Sequence, residues 1–76
     1  MVNSASLLDV SEGDTHKIVS IGGGRNARQQ LRELGLFPGD TVRVVRRAAF
    51  DGPLLIECRG TQIAIGRAIA EKVRVE

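Results

Sequence analysis

The residues of this chain that are equipped for chemistry are few and poorly matched to one another. Gly22-Gly23-Gly24-Arg25-Asn26-Ala27 fits G-x-G-x-x-A, the turn with which dinucleotide-binding folds bring backbone N–H groups and a helix start up to a pyrophosphate. That chemistry needs a parallel strand after the helix. Here the helical stretch runs into a Pro38-Gly39 turn, and Asp40 lies in that turn rather than at a strand end. Only the general attraction of a helix start for anions remains. No G-x-x-x-x-G-K-[ST] run occurs, and Lys17 and Lys72 are the only lysines, so hydrolysis of nucleoside triphosphates is not expected.

His16 is the single histidine and Cys58 the single cysteine. Together with Asp14 or Glu57 they give no ligand spacing for a transition metal, so no metal site and no cofactor is expected. A solvated histidine on a strand and a small buried hydrophobe are the readings for these two. One cysteine excludes an intramolecular disulfide and favours a reducing compartment. Ser4, Ser6, Ser11 and Ser20 stand in no nucleophile elbow, and His16 alone cannot complete a triad. No catalytic residue and no small-molecule substrate are expected.

Arginine is the remaining polar resource. Arg25, Arg28 and Arg32 recur at i, i+3 and i+7, opposite Ala27, Leu31 and Leu34, so one helix face packs and the other meets solvent. With Gln29 these three are the candidate partner-contact residues, set against the plainer reading of a solvated helix face. Arg43, Arg46 and Arg47 raise the possibility of a nucleic-acid footprint. Phe37 and Phe50 are the only aromatics, however, and neither is interleaved with basic residues as a stacking platform requires. Eleven Lys and Arg against nine acids leave a formal charge of only +2. The lack of Trp and Tyr also argues against a groove for proline-rich peptides.

The elements that must position these residues are short. At 76 residues the chain is expected to form one domain that buries only about 60% of its unfolded surface. Residues 1–6 read as a flexible N-terminus and 7–76 as the domain, with Leu7 and Leu8 anchoring a short extended segment. Ser11-Glu12-Gly13-Asp14 reads as a turn, and Thr15 to Ile21 as the first full strand, ended by three glycines. Arg25 to Leu34 has helical period, closed by Gly35, with Pro38 preventing its resumption and Gly39 turning the chain into a strand over Thr41 to Ala48. Asp51-Gly52-Pro53 is a turn. Leu54 to Arg59 and Thr61 to Ile65 form a hairpin with Gly60 at positive φ, Gly66 to Glu71 a helical turn, and Val73 to Val75 a last strand. Several short strands around one helix predict a mainly β fold, a small, partly open barrel of the SH3-like type, with an OB-like barrel as runner-up. No apolar run is long enough to span a membrane, and the chain reads as soluble and cytoplasmic.

Leu31-Arg32-Glu33-Leu34-Gly35-Leu36-Phe37-Pro38-Gly39, followed by Val42 and Val44, resembles the signature of the FeoA family. So do Leu8 and the Gly13 turn, Ile18 to Ile21, Gly52-Pro53 before Ile56, Arg59-Gly60 before Ile63-Ala64-Ile65, and Ala70 before Val73 and Val75. The similarity runs from about Leu7 to Val75, and Leu-Gly-Leu-x-Pro-Gly is its most specific part. It implies an SH3-like barrel with a helical insertion, acting as an accessory or regulatory partner of the cytoplasmic region of a FeoB-type ferrous-iron transporter. Within the shared motif Gly35, Pro38 and Gly39 serve backbone geometry and Leu31, Leu34, Val42 and Val44 serve the core, with Leu36 and Gly60 completing the structural set. A related barrel occurs as an appended domain of iron-dependent repressors, so that role, a generic protein-interaction barrel and a small nucleic-acid-binding barrel remain the alternatives. Weak self-association through an uncapped strand edge is a further possibility.

Overall fold

Apolar residues set at every second position build the sheet. In Thr41–Arg47 Val42 and Val44 are buried while the residues between them are not, and in Leu54–Cys58 burial alternates strictly through Leu54, Ile56 and Cys58. The computed structural model describes residues 5–76. In chain order its elements are β1 (Ala5–Ser6), a 3₁₀ turn (Leu7–Asp9), β2 (Thr15–Ile21), α1 (Gly24–Glu33) and β3 (Thr41–Arg47). They continue with β4 (Leu54–Cys58), β5 (Thr61–Ile65), α2 (Arg67–Glu71) and β6 (Val73–Val75).

The strands form one six-stranded sheet in the order β1-β6-β2-β3-β4-β5, with every pair antiparallel. β2 is the hinge of this arrangement. Thr15 to Lys17 pair with β3, while Ile18 to Ile21 pair with β6 across a register shift between Ile18 and Ser20. Sharing one strand between two pairings curls the sheet toward a partly open barrel around Ile18, Leu31, Leu36, Val44 and Ile56, all almost fully buried. The fold is thus the expected mainly β, SH3-like one.

Most expected element ends are off by at most one residue, and the larger differences lie at the start of the chain. Leu7 and Leu8 lie in the 3₁₀ turn rather than an extended segment, because the Ser6 hydroxyl accepts the Leu8 N–H and caps it. Regular structure is also present before Leu7. Ala5 pairs with Val75 and Ser6 with Arg74, and the Ser6 hydroxyl reaches the carbonyls of Ala70 and Glu71. The remainder of the expected flexible start, residues 1–4, lies outside the described residues. On β3 a bulge sets Val44 opposite Ile56 and Arg46 opposite Leu55, so Val45 is the extra, half-buried residue.

α1 ends as its sequence demands. Gly35 has φ of 84°, its N–H donates to Arg32 O at 2.9 Å, and the Leu36 N–H donates to Leu31 O at 2.9 Å, the paired bonds of a Schellman cap. A Cβ on Gly35 would meet only the Arg59 Nη2 at 3.7 Å, an ordinary contact, so the cost of a larger residue there is conformational rather than steric. Gly35→Val is therefore expected to lose roughly 1–2 kcal/mol, seen as a lower urea midpoint at unchanged slope. An unchanged midpoint would mean that the cap contributes nothing.

Candidate partner-binding site

The motif loop that follows α1 is held by its own backbone and by one arginine from across the sheet. Phe37, Pro38, Gly39 and Asp40 form a tight turn closed by Asp40 N–H donating to Phe37 O at 3.0 Å, with Pro38 and a positive-φ glycine (97°) at its two central positions. Gly39 N–H donates to Ile18 O and Ile18 N–H to Asp40 O, at 2.7 and 2.8 Å, which ties the turn to the middle of β2. Arg59 lies in the two-residue β4–β5 turn, where both it and Gly60 have positive φ (52° and 80°). Its guanidinium reaches back to Asp40 Oδ1 at 2.7 Å and to Gly35 O at 2.5 Å.

Asp40 Oδ2 accepts the Phe37 N–H at 2.9 Å, and this bond, followed by the Arg59 guanidinium, holds the Asp40 carboxyl below its ordinary range. A lowered folded-state value means the stabilisation is complete above the unfolded pKa, about 3.9, and is lost as pH falls through the lower folded value. Asp40→Asn is expected to be less stable than the parent at neutral pH and to lose less stability on acidification. Urea midpoints between pH 7 and pH 2.5 that run parallel for the two proteins would remove Asp40 from this role.

The arginines divide by what they touch. Arg43 pairs with Glu57 at 3.0 Å, Arg59 with Asp40 at 2.7 Å, and Arg67 with Asp51 at 3.6 Å. The Arg47 guanidinium donates to Val10 O, and its backbone N–H to Glu12 at 2.8 Å. Arg25, Arg28 and Arg32 are exposed and make no ion pair among the described residues. Together with Gln29 they line one shallow depression on the outer face of α1, so the structure brings all four sequence candidates onto one surface. Of the residues expected to pack beneath them, Ala27 and Leu31 are buried, at 2% and 0% exposure, whereas Leu34 is 42% exposed. Leu34 is the residue after the last helical turn, where the cap turns the chain away from the core, and it lies beside Ala64, Ile65, Gly66 and Ile69.

A second depression of about 330 Å³ adjoins the arginine face and shares Arg28 and Arg32 with it. Its remaining lining comes from Val19, Ser20 and Ile21 of β2 and from Leu36, Phe37 and Pro38 of the motif loop. Val19 is 39% exposed and Phe37 45%, so a groove with apolar lining runs beside the cationic helix. The sequence reading did not single out these two residues. Strict alternation from the buried Ile18 was the available signal for Val19, and no spacing pointed to Phe37.

The other candidates from the sequence are scattered. His16 is half-buried with its Nδ1 3.3 Å from Glu76 O, and Cys58 is buried, which pushes its thiol pKa up. Among the described residues no three His, Cys, Asp or Glu side chains cluster as a metal site. β3, which follows α1, pairs antiparallel with β2, so the triple-glycine turn is not part of a parallel βαβ unit. Gly22 and Gly23 instead lie close against Lys72. Gly22 N–H donates to Lys72 O at 2.7 Å, and a Cβ on Gly23 would stand 2.2 Å from the Lys72 Cδ.

The FeoA domain model matches residues 5–76 of this chain. The protein belongs to the FeoA family. A Methanocaldococcus jannaschii protein bearing the name Fe(2+) transport protein A is 37% identical over 70 residues, 92% of this chain and 83% of that one. The crystal structure of an iron uptake regulatory protein, FeoA, superimposes with a TM-score of 0.86 at 37% identity, covering 99% of this chain and 97% of the other. The solution structure of the Chlorobium tepidum FeoA protein gives 0.82 at 28% identity, over 92% and 67% of the two chains. A manganese-dependent transcriptional repressor shares the fold alone, with a TM-score of 0.86 at 19% identity, and this chain spans 40% of its length. Like the resemblance read from Leu-Gly-Leu-x-Pro-Gly, the family match extends over nearly the whole of this chain. No helix among its described residues is long and apolar enough to cross a membrane.

Proposed function

We propose that this FeoA-family chain is a non-catalytic, cytoplasmic accessory protein of ferrous-iron uptake that binds the cytoplasmic region of a FeoB-type transporter through the exposed face of α1. The observation that carries this reading is the division among the arginines. Arg43, Arg47, Arg59 and Arg67 are occupied within the fold by ion pairs or a backbone bond; of the arginines left unpaired among the described residues, Arg25, Arg28 and Arg32 are gathered outward on one helix face, whereas Arg46 and Arg74 stand singly on β3 and β6. Long cations held on one face of a rigid helix suit a carboxylate-bearing surface and steer its approach. The family match and the name of the M. jannaschii relative support the iron-uptake setting.

The test is a titration of the purified chain against the purified cytoplasmic region of a FeoB-type transporter. A one-to-one complex that weakens as salt rises is expected. Absence of any complex at low salt would end the proposal. Anaerobic titration of the chain alone with ferrous iron is expected to give no binding heat, since the chain contributes contact rather than ligands. The second reading, a regulatory barrel of an iron-dependent repressor, is favoured by the shared fold of the manganese-dependent repressor. It predicts association with a repressor's DNA-binding portion instead of the transporter.

A further inference from the structure

The groove beside α1 has two unlike walls. On one side Arg28 and Arg32 project from the helix; on the other stand Val19 and Ile21 of β2 with Phe37 and Pro38 of the motif loop. Val19 and Phe37 are two of the four large apolar residues exposed among the described residues, and both line this one groove. Two exposed apolar side chains beside unpaired arginines are matched by a ligand that is itself apolar on one side and anionic on the other.

The spacing narrows the ligand further. Arg28 and Arg32 are four residues apart on a helix, about 6 Å along its axis, and Arg25 extends the row to about 10 Å. In an extended chain, residues on one face recur every ~6.6 Å and the intervening residues face the opposite way. A segment that alternates acidic and apolar residues therefore sets two successive carboxylates against Arg32 and Arg28 while its apolar side chains meet Val19 and Phe37. Single-stranded RNA is a poorer match. It also supplies anions at regular spacing, but its bases need aromatic platforms, and Phe37 is the only aromatic here.

We propose that the groove between α1 and the motif loop binds an extended partner segment that alternates acidic and apolar residues, clamped by Arg28 and Arg32 and anchored on Val19 and Phe37. This rests on the contact role proposed for α1 and specifies what that face recognises. Both halves of the recognition are needed. Guanidinium–carboxylate pairs at an open groove are partly screened by solvent, so the apolar wall must add burial, and the apolar wall alone cannot discriminate among hydrophobic sequences.

The experiment titrates the ¹⁵N-labelled full chain with a capped octapeptide alternating aspartate and leucine. Controls are its asparagine–leucine and aspartate–serine counterparts and an octameric oligouridylate. Expected are amide shifts centred on Val19 to Ile21, Arg28, Arg32 and Phe37, and at least tenfold weaker binding by each peptide control and by the RNA. Phe37→Ala, at an exposed site, is expected to weaken the aspartate–leucine peptide about tenfold. In Arg28→Glu/Arg32→Glu the preference should switch to a lysine–leucine peptide, a gain that a misfolded variant cannot show. The proposal is overturned if the aspartate–leucine peptide fails to bind, if either half-control or the RNA binds as well, or if the shifts fall elsewhere. Peptide binding without a transporter complex would overturn the FeoB reading and keep the groove. A transporter complex without peptide binding would do the reverse.

Discussion

Leu36→Ala is expected to remove about 2–4 kcal/mol of folding stability, the usual cost of truncating a fully buried leucine in a site that cannot collapse. Leu36 is 1% exposed and is the residue through which the cap of α1 becomes core. Its N–H closes the helix on Leu31 O, and both side chains belong to the same buried cluster. A domain of this length has a total stability of roughly 4–11 kcal/mol, so this one substitution threatens the fold at physiological temperature. The adjoining Phe37, 45% exposed, provides the comparison: Phe37→Ala should cost less than about 1 kcal/mol. Urea denaturation of both variants separates the two. Equal losses would mean that the in-and-out division of the Leu-Gly-Leu-Phe-Pro-Gly loop is wrong.

Punctuation made most of this fold legible. Gly35 and Pro38 between a helical and a two-residue period fix where α1 stops and β3 starts, because a left-handed cap and a missing N–H act locally whatever surrounds them. Thr15–Ile21 matches its expected span for a similar reason, since a β-branched run between a Gly13 turn and three glycines has no competing conformation. The misses occur where tertiary contacts decide. Ser6 is buried by carbonyls of α2 more than sixty residues away, a partnership that nothing within reach of residues 5–9 announces. Leu34 continues the helical stripe on paper, but the Schellman cap diverts the chain one residue too early for its side chain to reach the core. The Val45 bulge adds a residue that simple alternation cannot count.

The candidate site was only half readable, because charge and spacing lie in the sequence and occupancy does not. The period that puts Arg25, Arg28 and Arg32 on one face is a property of any helix. That Arg43, Arg47, Arg59 and Arg67 are engaged elsewhere requires the cross-strand register and the loop contacts. The same holds for Phe37, whose place beside Val19 depends on the bonds that fasten the Phe37–Asp40 turn to Ile18 of β2. Arg59 is the clearest case. In sequence it reads as half of a hairpin turn; in the fold its guanidinium bridges Gly35 of the helix cap and Asp40, at either end of the motif loop.

Arg28→Glu/Arg32→Glu is expected to weaken association with the cytoplasmic region of a FeoB-type transporter by more than about tenfold at low salt, with the loss concentrated in the association rate. The double change moves the formal charge from +2 by −4 to −2 and places the reversal on the face where the arginines have no partner among the described residues. Folding is expected to survive. Both sites are exposed, and the one foreseeable penalty is a glutamate in the last turn of α1 at Arg32, where the helix dipole disfavours an anion by about 0.3–1 kcal/mol. Circular dichroism establishes that the variant is folded, and titrations at two salt concentrations establish whether the lost attraction was electrostatic. Arg46→Glu serves as the control: an exposed cation on β3, away from both depressions, whose reversal changes net charge but not the α1 face. If Arg46→Glu weakens binding as much as a single reversal on α1, long-range charge rather than contact drives association. If the folded double variant binds like the parent, the arginine face is merely solvated, and the interface moves to the strand surface around Arg43 and the Arg59-Gly60 turn.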